Sequence, residues 1–226
     1  MNRGQRKRRN KKDQEHCKYI KMVKHRMTAD KLCKITLRHI AKWIRYCDNP
    51  GVIFDIGACV GMYSLYFAHF ASSSIYSFEP VPGNFQLLMK NLTMNKKLQK
   101  KITAHNFGFW SSRCSKEMGI PQNRKDTDNI GLYTIGGHKK TTSASFEVLD
   151  EWCEDNQIYP DFIKIDAEGA EYEILRKGFR AIRSARYILC EHHLEYTEQD
   201  TLYTLLLDNG FEVKMTNRNN YFWEKK

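Results

Sequence analysis

At 226 residues, 41% of them apolar, the chain can bury one full core of the 200-residue class, which excludes global disorder. Its net charge of +11 is unevenly placed: residues 1–26 hold eleven Lys or Arg against Asp13 and Glu15, leaving the rest nearly neutral. Seven scattered cysteines without a CxxC pair exclude a zinc knuckle or a disulfide framework and point to a reducing compartment.

The first stretch, residues 1–27, has almost no apolar residue in RGQRKRRNKK and repels itself; it reads as a disordered basic tail. It lacks the apolar run of a secretory signal, and the richest apolar region, Val52 to Phe78, is too interrupted to span a membrane. The expected location is cytoplasmic, or nuclear if the tail is an address. Residues 28–226 read as a single domain. A helix is predicted over Thr28–Cys47, from Leu32, Ile35, Ile40, Trp43 and Ile44 at helical spacing, stopped by Asn49-Pro50-Gly51. Strand and helix then alternate: strand Val52–Ile56, helix Gly61–Phe70, strand Ser74–Phe78, helix Pro82–Asn95, strand Ile102–Phe107. Residues 111–142 read as a loop-rich insertion with one short strand at Gly131–Ile135. Alternation resumes with helix Ser145–Asn156, strand Phe162–Asp166, helix Glu168–Gly178, strand Tyr187–Glu191 and helix Glu198–Asn209, before a closing hairpin of FEVKM and NYFWE. Repeated βα units predict an α/β, Rossmann-like fold: a mostly parallel twisted sheet, helices on both faces, and an antiparallel C-terminal hairpin.

In such a sheet ligands bind at the carboxyl ends of strands, near the point where strand order reverses. There the stretch VIFDIGACVG runs from a strand into a turn with Gly57 and Gly61. A dinucleotide fingerprint would carry a third glycine, and Asp55 would repel a pyrophosphate on this turn. The same carboxylate suits a ligand with an amino group or a sulfonium. Glu79 ends the second strand, where an acid accepts the hydroxyls of a ribose. Acid, glycine turn and acid in this order resemble the S-adenosylmethionine site of class I methyltransferases.

The stretch DFIKIDAEGAEYEILRKG brings Lys164 and Asp166 to one face of a strand and Glu168 to its carboxyl end. A lysine in a buried strand is costly unless paired. One reading is a structural ion pair of Lys164 with Asp166, with Glu168 and Glu171 capping the next helix; the other is a catalytic cluster. VIFDIGACVGMYS, SFEPVPGNFQLLMKN and DFIKIDAEGAEYEIL together resemble the FkbM family of methyltransferases, from about Asn49 to His193, as do Asn84, Asn91, Leu149-Asp150, Glu191 and His193. Phe109-Trp110 departs from the small apolar residues usual there, and the basic tail lies outside the family pattern.

The resemblance implies an S-adenosylmethionine-dependent enzyme that methylates oxygen on a small or carbohydrate-like acceptor. Asp55, Gly57 and Gly61 are expected at the amino-acid end of the cofactor, with Ala58 and Ser64 beside them, and Glu79 with Pro80 at the ribose. Asn84 and Phe107-Gly108 are candidates for the ribose and adenine side. Asp166 is expected beside the transferred methyl and as the base, with Lys164, Glu168, Glu191 and His193 completing the cluster. Asp166, Glu168, Glu191 and His193 also offer donors to a divalent metal, which the spacing does not require. Two rival readings remain: ribose 2′-O-methylation of RNA held by the tail, and a non-catalytic binding protein on the same fold.

Overall fold

The computed structural model describes residues 42–122, 130–191, 199–217 and 219–226. The basic tail and most of the expected first helix lie outside them; residues 42–46 are helical. Seven strands form one sheet: β1 (Val52–Ile56), β2 (Ser74–Phe78), β3 (Ile102–His105), β8 (Phe162–Ile165), β9 (Tyr187–Glu191), β10 (Phe211–Asn217) and β11 (Asn220–Lys225). Their order is β10-β11-β9-β8-β1-β2-β3. All neighbours from β9 to β3 pair in parallel; β11 runs against both β9 and β10. After β1 the chain steps outward to β2 and β3, then returns to β8 on the other side of β1. The strand order therefore reverses beside β1, which opens a crevice at its carboxyl end.

Near-continuous apolar strands fit a sheet covered on both faces. Ile53, Phe162, Tyr187, Leu189 and Phe222 face one core, closed by α1 (Met62–Phe70), α2 (Pro82–Met94) and Trp43 of the 42–46 helix. Phe54, Ile56, Ile163, Ile165 and Ile188 face the other, closed by α4 (Leu149–Asn156), α5 (Glu171–Leu175), α6 (Phe179–Ser184) and α7 (Gln199–Asp208). A short helix, α3 (Lys96–Gln99), joins α2 to β3. The hydrogen bonds of Asp150 seat α6: its carboxylate accepts the Arg180 and Ala181 N–H groups at 2.8 and 3.0 Å. No helix among the described residues is long and apolar enough to cross a membrane.

Several expectations need correction. The described residues of 111–142 are not mostly loop: β5 (Cys114–Ile120) pairs antiparallel with β7 (Lys139–Glu147). With β4 (Gly108–Phe109) and β6 (Thr134–Ile135) they build a second sheet, order β4-β7-β5-β6, over a small core of Val81, Met118, Ala144 and Phe146. Its polar strands bury only a few residues each, so the hydrophobic alternation that announces a strand is weak. Residues 145–147 accordingly belong to β7, and α4 starts only at Leu149. The helix expected from Glu168 starts at Glu171, because Glu168 and Gly169 sit at φ 50° and 97°, outside helical space. A separate helix, α6, follows that the pattern did not announce. The third strand ends at His105 rather than Phe107.

Candidate active site

Between β1 and α1 the backbone turns left-handed at Gly57, Cys59 and Gly61, with φ of 73°, 50° and 79°. The Gly57 and Ala58 N–H groups both donate to the Phe78 carbonyl at 3.0 Å, tying the turn to the end of β2. A Cβ on Gly57 would lie 1.8 Å from the Asp166 carbonyl oxygen, so the glycine is required by a neighbouring strand end as well as by its φ. Asn91 of α2 donates to the Val60 carbonyl at 2.8 Å and clamps the far side of the turn.

Glu79, following β2, is buried and accepts the N–H groups of Cys59 at 2.7 Å and Val81 at 2.9 Å, and the Asn84 amide at 3.4 Å. Burial pushes its pKa up to about 7, and these donors hold it from rising further. The acid therefore braces the glycine turn and the start of α2 together.

Lys164 of β8 is buried at the centre. Its ammonium donates to the Gly57 carbonyl at 2.8 Å and the Ile56 carbonyl at 3.3 Å. It pairs with Asp55 at 3.2 Å and Asp166 at 3.8 Å, and lies 5.0 Å from the Tyr63 ring centroid. Burial alone would depress the lysine pKa, but Asp55 and Asp166 outweigh it and hold it above its usual value. A lysine so held keeps its proton and cannot act as a base. Asp55, fully buried, accepts the Ser64 hydroxyl at 2.5 Å, and Ser64 lies 2.7 Å from the Ser77 hydroxyl.

Beyond Asp166 the chain makes the turn Ala167-Glu168-Gly169. The buried Glu171 carboxylate clasps it, accepting the Ala167 N–H at 2.8 Å and the Gly169 N–H at 3.0 Å. Above all these groups lies a cavity of about 350 Å³.

Residues 55–213 match the Methyltransferase FkbM domain. The chain belongs to the FkbM methyltransferase family. The hexuronic acid methyltransferase AglP of Haloferax volcanii is 24% identical over 183 residues, 77% of this chain and 70% of its own length. The methyltransferase sdnD of Sordaria araneosa is 25% identical over 199 residues, 74% of this chain and 75% of its own. The crystal structure of an FkbM methyltransferase from Methylobacillus flagellatus superposes with TM-score 0.54 at 16% identity. That match covers 96% of this chain but 59% of the other. A Streptococcus pneumoniae protein solved in complex with S-adenosyl-L-methionine superposes with TM-score 0.52 at 14% identity, over 84% of this chain and 72% of its own. These two likenesses concern the fold.

In this FkbM chain the cavity wall includes Gly57, Ala58, Glu79, Pro80, Asn84 and Gly108, and, across from them, Lys164, Asp166 and Glu168. Five expected residues stand back from it. Asp55 and Ser64 lie beneath Lys164, Gly61 seats α1, and Phe107 packs into the core of the α4 face. Glu191 ends β9 across from Asn220, and its charge reaches Lys164 and Tyr63. His193 lies outside the described residues. Residue-level reading singled out Phe109 as a departure that reshapes the pocket, but missed Tyr63, Met118, Tyr133, Ile135 and Phe146, which also line it. Tyr63 lies on α1, and the others lie on or beside a sheet that periodicity did not announce. Among the described residues no three of His, Cys, Asp and Glu converge as metal ligands.

The donor set fits a cationic cofactor. Lys164, Asp55 and Asp166 sum to one negative charge at the cavity floor, and Glu79 adds a second when ionised. The apolar side, with Phe109 and Val81, suits a flat ring.

Proposed function

We propose that the protein is an S-adenosylmethionine-dependent O-methyltransferase acting on a small or carbohydrate-like acceptor. The observation that carries this is one cavity whose floor is the glycine turn and whose wall holds Glu79, Lys164, Asp166 and Glu168. When bound, S-adenosylmethionine supplies an activated methyl on a sulfonium. The protein's part is to hold that end against Asp166, to receive a ribose hydroxyl, and to align an acceptor in line with the breaking bond. An ionised carboxylate has about four acceptor positions, so Glu79 keeps roughly one beyond its three present donors. Lys164 positions: it fixes the carbonyls of Ile56 and Gly57 and orients both aspartates. Support for the acceptor class comes from AglP, which methylates a hexuronic acid.

Thermal unfolding with and without S-adenosylhomocysteine tests the cofactor. At a hundred times the dissociation constant the ligand adds about 2.7 kcal/mol. Glu79→Gln is the better variant, because Glu79→Ala would strip acceptors from two N–H groups and unfold the turn outright. A shift in the wild type that weakens in Glu79→Gln supports the ribose contact; no shift in a folded wild type removes the methyltransferase reading.

The net +9 of residues 1–26 favours RNA as a second class of acceptor. In that case turnover falls with salt at a slope of roughly −0.7 to −0.9 per phosphate neutralised, and deleting the tail abolishes it.

A further inference from the structure

A second cavity, of about 420 Å³, adjoins the first. Its walls come from the second sheet and its loops, with Trp110, Gln122, Thr134 and His138 on one side, and from the turn 167–170 on the other. The two cavities share Ile135, Ala167, Glu168 and Ala170. Glu168 is the one titratable side chain among the described residues that lines both. It is also held in an unfavourable backbone conformation: φ is 50°, in the left-handed region that non-glycine residues rarely adopt. The buried Glu171 carboxylate holds the N–H groups on either side of it, so the conformation is imposed by a dedicated clasp. Asp166 lines the first cavity only, with its carboxylate 3.8 Å from the Lys164 ammonium.

We propose that the second cavity is the acceptor subsite, that it takes a polyhydroxylated ring against the Trp110 indole, and that Glu168 is the general base. The proposal rests on the methyltransferase reading above. The Trp110 indole lines this cavity with the Lys116 ammonium 4.9 Å from its ring centroid, so the part of the ring left to the cavity can carry the C–H side of a sugar ring, while Gln122, Thr134 and His138 offer hydrogen bonds to hydroxyls. A hydroxyl directed from this cavity toward the first meets Glu168 at the shared wall. As the acceptor oxygen bonds to the methyl carbon, the carbon–sulfur bond breaks and its electron pair stays on sulfur. The hydroxyl proton passes to the Glu168 carboxylate and then to water, leaving a methyl ether and S-adenosylhomocysteine. This reassigns the base from Asp166, which is left to face the methyl-bearing end.

The test uses the full-length protein with two probes, methyl β-D-glucopyranoside and methyl β-D-glucuronide. Saturation-transfer NMR in the presence of S-adenosylhomocysteine should show ring-proton contact with at least one probe. Trp110→Ala should cut that contact at least fivefold and leave the S-adenosylhomocysteine dissociation constant within twofold. In turnover with S-adenosylmethionine, Glu168→Gln should lower kcat at least a hundredfold with KM within threefold. The wild-type rate should rise with pH to a plateau, and the variant should lose that plateau. Contact with neither probe, contact unchanged in Trp110→Ala, turnover of neither probe, or Glu168→Gln retaining more than a tenth of kcat each overturns the proposal. Those results count when the wild type binds S-adenosylhomocysteine; failure of that binding removes the methyltransferase reading and the proposal with it.

Discussion

The two sheets meet at one site and are built by opposite rules. The parallel strands are largely apolar, and the few polar groups at or near their carboxyl ends are tied to their neighbours: Lys164 to Gly57, Ile56, Asp55 and Asp166, and Glu79 to Cys59 and Val81. The second sheet is polar along most of β5 and β7 and buries a core of only a few side chains. The first therefore ties the glycine turn and Glu79 to the ends of β1 and β2. The second sheet and its loops contribute walls such as Tyr133 and His138, which stand outside the two main cores, and Trp110, which packs against one of them.

Removing the central cation should strain the comparison most. Lys164→Met leaves Asp55 buried with Ser64 beside it and the Gly57 carbonyl without its donor, while the Ile56 carbonyl keeps the Asp166 N–H at 3.2 Å. A loss of about 3–5 kcal/mol is expected by chemical denaturation, and Lys164→Met with Asp55→Asn should recover part of it. Recovery of nothing would mean the pair is not the reason for the cost.

The next effect is a dependence on pH. Folding raises the Glu79 pKa from 4.5 to about 7, so the folded state binds this proton more tightly than the unfolded chain. The stabilisation is complete below about 4.5 and is lost as pH rises through about 7, an amount of about 3 kcal/mol at 1.36 kcal/mol per unit. Unfolding free energies measured from pH 4.5 to 8 should show this fall in the wild type and a flatter curve in Glu79→Gln. Parallel curves would assign the dependence to other groups.

A pair of glycine substitutions separates the two sheets directly. A Cβ on Gly57 meets the Asp166 carbonyl at 1.8 Å, and one on Gly137 meets the Gly119 carbonyl at 1.9 Å, inside the second sheet. Each alanine should cost about 2 kcal/mol. Gly57→Ala should also lose S-adenosylhomocysteine binding, whereas Gly137→Ala should keep it within a few-fold while acceptor turnover falls. Equal loss of cofactor binding in both, read by calorimetry, would show that the sheets are coupled as one unit.

Local pattern was enough wherever the chain's neighbours in space are its neighbours in sequence. β1 and β2 are apolar runs ending in turn residues, and they stand where the run predicts. The glycine turn and the acid after β2 were legible too, because one βαβ unit contains them all. So was the crossover pattern that makes the sheet parallel. Tertiary structure decided the rest. That Lys164 serves the Gly57 carbonyl, 107 positions away, depends on β8 returning beside β1, which no window of sequence records. That burial lifts the Glu79 pKa to about 7 while backbone donors keep it from rising further depends on the turn and α2 closing over it. The left-handed Glu168 follows from the Glu171 clasp, and the wall it shares with Trp110 follows from packing two sheets at one edge. Spacing records which residues a chain offers; burial and long-range pairing decide which of them keep a charge, hold a proton or face a ligand.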